Sequence, residues 1–483
     1  MTDPAATRPQ RRGLVERYVD SITGRVGGQS WLTKNVRKVF PTHFSFLWGE
    51  LALYSFIVLV VTGIYLTLFF HGAQDHIVYT GSYEPLRGVR VSAAYNSVMR
   101  ISYDVKGGLL IRQMHHWAAL TFVGAIALHM ARIFFTGAFR RPREINWVIG
   151  MILLVLALAA GFTGYSLPDD LLSGTGLRIT DAIILALPFV GERLSYLIFG
   201  GEWPGTDIIA RLYPVHILII PGLIIALLSV HLALVWHQKH TQFAGPGRTE
   251  GNVVGERVWP AFAMKSIGLL FLTAAVITAL GAIFDINAIW LYGPYDAAAA
   301  TSYSQPDWYI GFLEGSLRLF PPWETRIGGY TINNIVYSGV VLPTLIFAPL
   351  FAVPWIERFL TGDSSEHHLL DRPRDAANRT AIGVGSITAV TVLLLGGAQD
   401  VIANTLEMPV ATVTRVLQVL FLIAPPIAFW LARRSCLALQ RRPGPDHTER
   451  EGEIVRTADG GYHTIEETAG RDGPAGDHET VDA

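Results

Sequence analysis

Cysteine is almost missing from this chain: Cys436 is the single one among 483 residues. One thiol excludes a disulfide framework and the Cys-x-x-Cys-His motif that attaches haem covalently. It also excludes an iron–sulfur cluster held by this chain's own cysteines. Charge is scarce as well, 16% of residues, and nearly balanced at a formal −1. No nucleic-acid module is apparent, and the basic residues are placed for membrane topology rather than for phosphate. Apolar sequence is what the chain has in quantity, 51% of residues, with a mean hydropathy of +0.35.

Eight apolar runs, about 48–70, 113–135, 146–166, 214–236, 262–284, 336–356, 379–396 and 411–431, reach or approach a span of roughly 17–25 residues. Pro343, Pro349 and Pro354 interrupt the sixth, and Pro425 and Pro426 the eighth. Packed bundles tolerate such breaks, so both are kept as spans. The expected fold is an all-α integral membrane protein of eight transmembrane helices.

Charge sorts between the runs. Arg8, Arg11, Arg12, Arg17, Lys34, Arg37 and Lys38 precede the first. Arg132, Arg140, Arg141 and Arg143 follow the second, and Lys239, Arg248 and Arg257 follow the fourth. The alternate loops lean acidic, with Asp169, Asp170, Asp181, Glu192, Glu202 and Asp207, then Asp285, Asp296 and Asp307. Positive residues stay inside, so both termini are expected in the cytoplasm of a multi-pass membrane protein. The first 40 residues are polar and basic, with no pattern of a cleavable signal peptide. The tail from 441 is polar and Gly-rich and is expected to be disordered.

Histidine is the anomaly. His115 and His129 stand fourteen residues apart in the second run, and His216 and His231 fifteen apart in the fourth. Fourteen steps of an α-helix return to within ~40° of one face and advance ~21 Å; fifteen steps drift ~60° and advance ~22 Å. An ionisable group inside a membrane is a functional hypothesis by default. Runs two and four cross in the same direction, so His115 pairs in depth with His216, and His129 with His231. Two histidines on facing helices can ligate one haem iron axially. Two non-covalent haems stacked across the bilayer are therefore expected. His116 has no counterpart and is read as a structural or polar-rim residue.

Glycine repeats the interval. Gly49 and Gly63 in the first run, and Gly150 and Gly164 in the third, are each fourteen apart. Glycine admits another group close to the backbone, and these four are read as faces for a flat macrocycle. Packing of helices through small residues is the plainer alternative. Arg112 and Arg132, each three residues from a histidine, are suitably charged for haem propionates.

Taken together, "RQMHHW", "LHMAR", "GYSLP" (164–168) and "QPDWY" (305–309) resemble cytochrome b of the quinol–cytochrome c reductases, from about residue 40 to 432. The polar tail and the run from "PDWY" to "EGSLRLFPPWE" are similar to the actinobacterial branch. The resemblance implies a cytoplasmic segment (1–40), a four-helix di-haem bundle (41–245) and a second four-helix membrane domain (246–432). The tail begins at 433. It implies a bacterial cell membrane, a Rieske-type iron–sulfur subunit, a cytochrome c subunit and a homodimer as partners. A terminal oxidase in a supercomplex and contact with membrane lipid are further expectations. Quinone, in that branch commonly menaquinone, would be the substrate on both membrane faces.

The outer quinol site implied by the resemblance holds Pro306, Asp307, Trp308 and Tyr309. The family pattern usually has Glu where this chain has Asp307, one methylene shorter. Glu314 is then a substitute or partner as proton acceptor, and Tyr309 a hydrogen-bonding group. Gln-Pro-Asp also reads as a helix start. Gly174 and Gly176 are expected where an iron–sulfur protein or a quinone ring approaches. At the inner site, relatives use a His and an Asp where this chain has Trp236 and Ser266. Lys265, His237 and His240 are the residues left to bind quinone or bring protons. Two rivals compete with this reading, a di-haem anchor for a dehydrogenase and a haem-free transporter relaying protons through its histidines.

Overall fold

A computed structural model describes residue 21, residues 37–299 and 305–441, and two tail strands, Glu453–Arg456 and Tyr462–Ile465. Most of the basic N-terminal segment and of the tail lies outside the described residues. Within the tail, the two strands pair antiparallel.

Among the described residues, eight helices are long and apolar enough to cross a membrane. They are α1 (Phe44–Thr67), α2 (Gly108–Phe135), α3 (Glu144–Ser166), α4 (Ile208–His237), α5 (Val258–Ile283), α6 (Asn334–Thr361), α7 (Ala377–Gly397) and α8 (Val410–Arg441). The chain is a multi-pass membrane protein, mostly helical, with a few two-stranded ribbons in its connections.

Local chemistry sets the helix limits. Gly107 turns into α2 at φ 74°, and Gly362 closes α6 at φ 69°, a conformation that glycine adopts without a Cβ penalty. Asn333 accepts from the first free N–H groups of α6, the usual service of an N-cap side chain. α8 runs to Arg441, ten residues past its apolar stretch. The first residues expected in the tail are therefore helical, because leaving the hydrocarbon ends the apolar pattern but not the hydrogen-bond ladder.

α1 to α4 form a bundle whose middle layer is apolar: Ala52, Phe56, Phe122, Val123, Ile126, Ile149, Leu153, Ala157, Ile220 and Ile224 pack together there. α5 lies directly on this bundle. A Cβ at Gly281 would stand 3.0 Å from the backbone nitrogen of Met114. Helices on either side of residue 245 are therefore in contact. A short helix, Gly311–Leu319, packs on α7 so closely that Gly315 and Gly397 leave no room for a Cβ.

Candidate functional site: two histidine pairs and the pocket beside one of them

The end of the bundle nearer Asp307 is termed upper, the opposite end lower. At the upper end His115 and His216 face each other with ring centres 6.3 Å apart; at the lower end His129 and His231 do so at 6.5 Å. Both ring pairs meet at 75°. Two metal–nitrogen bonds of about 2 Å, plus about 1.2 Å from each nitrogen to its ring centre, give about 6.4 Å. Each pair is therefore spaced to hold one metal ion axially. Among the described residues no cluster of three or more His, Cys, Asp or Glu gathers at one point. Two imidazoles leave the remaining coordination to a non-protein donor, which a tetrapyrrole supplies.

The upper pair also reveals which nitrogen is free. Thr62 donates its hydroxyl to the Val58 carbonyl at 2.7 Å and lies 2.9 Å from His115 Nδ1. Thr163 donates to Ala159 at 2.9 Å and lies 3.2 Å from His216 Nδ1. With each hydroxyl proton committed to a carbonyl, the threonine oxygen accepts and Nδ1 carries the hydrogen. Nε2 then keeps its lone pair for a metal, the arrangement in which an outer partner fixes a ligand's tautomer. No hydroxyl among the described residues meets Nδ1 of His129 or His231.

The glycines sit at these rings. A Cβ at Gly63 would lie 3.3 Å from His115 Cε1, and one at Gly49 would lie 3.1 Å from His129 Cε1. Gly150 faces His231 at 3.7 Å, and a Cβ at Gly164 would overlap His216. The nearest occupant of the space each glycine opens is thus the histidine of the neighbouring helix. The expectation of a macrocycle face is joined by a simpler job, seating the ligand ring.

The two helix pairs are near copies. Thr163, Gly164, Gly150 and His216 each lie 101 positions after Thr62, Gly63, Gly49 and His115, but His231 lies 102 after His129. The additional residue is absorbed in a π-helical turn at Val215–Ile219, closed by the Ile220 N–H on the Val215 carbonyl. Pro221 has no N–H to give Ile217, which loosens the ladder at that turn, and a π-turn accommodates one residue without changing the helix axis. Fifteen residues in α4 therefore bring the second ring to the same face that fourteen reach in α2.

A cavity of about 580 Å³ opens at the upper pair, lined by Gly63, Arg112, His115, His116, Gly164 and His216 among others. Arg112 gives one N–H to the Asn287 carbonyl at 2.9 Å, while its buried Nε has no partner among the described residues. At the lower end Arg132 lies over Phe46 at 4.4 Å with Nε and Nη2 unpartnered. Buried guanidinium N–H groups are rarely left unsatisfied. An anion at each site would complete them.

Beside the upper cavity lies a second, of about 300 Å³, lined by Tyr165, Gly176, Pro306, Asp307, Tyr309 and Glu314 among others. Asp307, Tyr309 and Tyr165 line both, so they form the wall between them. Tyr309 is buried and donates to Asp307 at 2.9 Å. Burial and the neighbouring Asp307 hold its phenol well above the ordinary range, so it keeps its proton. Gly161 clears the space for its ring. His116, expected in a structural or polar-rim role, holds both Asp307 oxygens, at 2.9 and 3.0 Å. The adjacent histidines of "HHWA" thus divide, one toward the metal position and one toward the carboxylate. The sequence hint was depth alone, since His116 and the PDWY loop both lie at the upper end.

Glu314 is buried and bonded to Arg318, which reaches Asp400 at 3.0 Å. Its Oε2 has no partner among the described residues. Burial pushes its carboxyl up to about 7, against the pull of Arg318. Trp308 is half exposed, and Gly174 packs under the Tyr295 ring. At the lower end Lys265 pairs with Glu256 at 2.5 Å, His240 meets Phe40 at a tilt with ring centres 3.9 Å apart, and His237 is exposed.

Residues 120–294 match a family model described as Cytochrome b(N-terminal)/b6/petB. A Streptomyces coelicolor protein named cytochrome bc1 complex cytochrome b subunit is 48% identical over 469 residues, 96% of this chain and 86% of that one. Its namesake in Mycobacterium tuberculosis is 47% identical over 470 residues, 97% and 85% of the two chains. A solved structure titled "Hyperthermophilic respiratory Complex III" superposes with a TM-score of 0.63 at 19% identity, covering 86% of this chain and all of that one. At that identity the likeness speaks for the fold.

Proposed function

Because the chain belongs to the cytochrome b subunits of actinobacterial cytochrome bc1 complexes, we propose that it is the membrane subunit of a proton-translocating quinol–cytochrome c oxidoreductase. The observation that carries this reading is the pair of imidazole couples, each with ring centres spaced as one metal ion between two imidazoles would need. Two b-type haems held there supply one-electron transfer across the membrane when bound. Arg112 and Arg132 would meet their propionates, and Gly49, Gly63, Gly150 and Gly164 let the ligand rings close on them.

The upper end is the outer face, and both termini lie in the cytoplasm. Quinol, menaquinol in keeping with the branch, enters the cavity lined by Pro306, Asp307, Tyr309 and Glu314, with Trp308 on the same segment. Asp307 accepts one proton from the ring hydroxyl while Tyr309 and His116 hold it in place, as a general base within hydrogen-bond reach must be held. Glu314 is a second carboxylate on the same cavity and can take the other proton. One electron leaves toward a Rieske-type iron–sulfur subunit and on to a cytochrome c subunit; the other crosses to the lower face. There quinone is reduced with protons from the cytoplasm, near Lys265, His237 and His240. The release and uptake of protons on opposite faces builds the gradient.

A pyridine haemochrome assay with a redox titration of the purified complex tests this. The expected result is two non-covalent b haems per chain with separate midpoints. One should be lost on changing His115 or His216, the other on changing His129 or His231. A chain that binds no haem overturns the reading, and haem that quinol does not reduce points to a dehydrogenase anchor.

A further inference from the structure

One carboxylate inside a spanning helix takes no part in the chemistry so far. Glu50 lies in the first turns of α1, at the lower end. Ser266 of α5 donates to its Oε2 at 2.7 Å. Tyr54, one turn further along α1, lies 3.2 Å from the same oxygen and in hydrogen-bond contact with Ser266. Among the described residues Glu50 has no ion-pair partner, and Lys265, beside Ser266, is engaged by Glu256 instead. A carboxyl group in a spanning helix, held by hydroxyls and no cation, is a functional hypothesis by default.

Two further features say what the cluster serves. Gly49, immediately before Glu50, is the residue against which His129 packs. The carboxyl therefore branches from α1 one residue from the lower histidine pair. Glu50 and Ser266 are also only partly buried, and Leu47, Met264 and Ile267 around them are exposed. No described residue covers those apolar side chains, so the cluster lies open to a hydrophobic molecule from that side of α1 and α5.

We propose that Glu50 is the catalytic acid that protonates quinone at the lower face, with Ser266 and Tyr54 positioning its carboxyl. This rests on the function proposed above. Reducing one quinone takes two electrons and two protons. The electrons are those delivered to this face by two successive quinol oxidations at the other. As they arrive, the O–H bond of the Glu50 carboxyl breaks and an O–H bond forms on a quinone oxygen. The carboxylate left behind is recharged from water at the lower face and serves the second oxygen in the same way. Ser266 faces Glu50 from α5, so a carboxyl on either helix would stand in the same pair.

The test uses the whole complex and a short-chain menaquinone as oxidant, following reoxidation of the lower haem after a quinol pulse. With Glu50→Gln, haem content, the upper midpoint and first-turnover quinol oxidation should stay at wild-type values, while reoxidation of the lower haem slows at least tenfold. A double variant, Glu50→Ser with Ser266→Asp, returns a carboxyl to the opposite helix and should recover most of the rate. Wild-type reoxidation in Glu50→Gln overturns the proposal, as does equal slowing in the double variant, which would make shape and not the carboxyl responsible. If Glu50→Gln loses haem, Glu50→Asp and the double variant carry the same comparison. A wild-type chain without haem would instead refute the function on which the proposal rests.

Discussion

The two ends of the bundle hold the same four-part unit, two glycines and two histidines, in different surroundings. At the upper end the residues preceding the glycines are Thr62 and Thr163, and both hydroxyls meet the ligand rings. At the lower end those positions are Trp48 and Ile149, and no hydroxyl is offered. The upper carboxylates, Asp307 and Glu314, come from a connection outside the four helices; the lower one, Glu50, comes from a bundle helix. On the function proposed above, the unit is what would hold a metal. What surrounds it decides the electron affinity of the metal and the protons that accompany it.

The most drastic way to break this comparison is to remove one unit. His216→Ala should abolish the upper haem and bring turnover to background while the lower haem's absorbance stays, which difference spectra would read. If both signals vanish together, the ends are not independent. Next comes the carboxylate that only the upper end takes from a loop. Asp307→Asn should lower quinol oxidation by about 10²–10⁴-fold, the range of a lost general base, with haem content intact in the same preparation.

Glu314 gives a smaller, pH-dependent effect. Its carboxyl is pushed up to about 7 and accepts a proton only when ionised, so its contribution is present above pH 7 and fades as pH falls through it. Glu314→Gln should cost about tenfold at pH 8 and little at pH 6; a rate–pH profile with an unchanged acidic limb would remove Glu314 from the reaction. The finest distinction is the threonines. Nδ1–H bonds to Thr62 and Thr163 favour the oxidised metal, and each is worth about 0.5–1.5 kcal/mol. Thr62→Val with Thr163→Val should therefore raise the upper midpoint alone, by tens of millivolts, roughly 59 mV per tenfold.

The eight spans and the four histidines were legible because hydrocarbon imposes long apolar runs and makes every polar exception conspicuous. His115, His129, His216 and His231 stood out by interval and depth with no knowledge of contacts. The role of His116 was not legible, since its partner Asp307 lies 191 residues away on a loop whose folding back the periodicity does not encode. Glu50 escaped for a related reason. A single acid near the start of a span looks like a boundary residue until Ser266 is brought against it from another helix. The glycines were found by spacing, but which group fills the space they leave needed coordinates.

The π-turn at Val215–Ile219 bears on more than its own five residues. Matching positions recur at an interval of 101 residues through both helix pairs until that turn, and at 102 beyond it. A membrane helix has few places to hide an insertion, because every residue after it would rotate by about 100°. Here the insertion is stored as a wider coil beside Pro221, and everything downstream, including His231, keeps its old bearing. One irregular turn thus keeps two ligands of one helix on a common face.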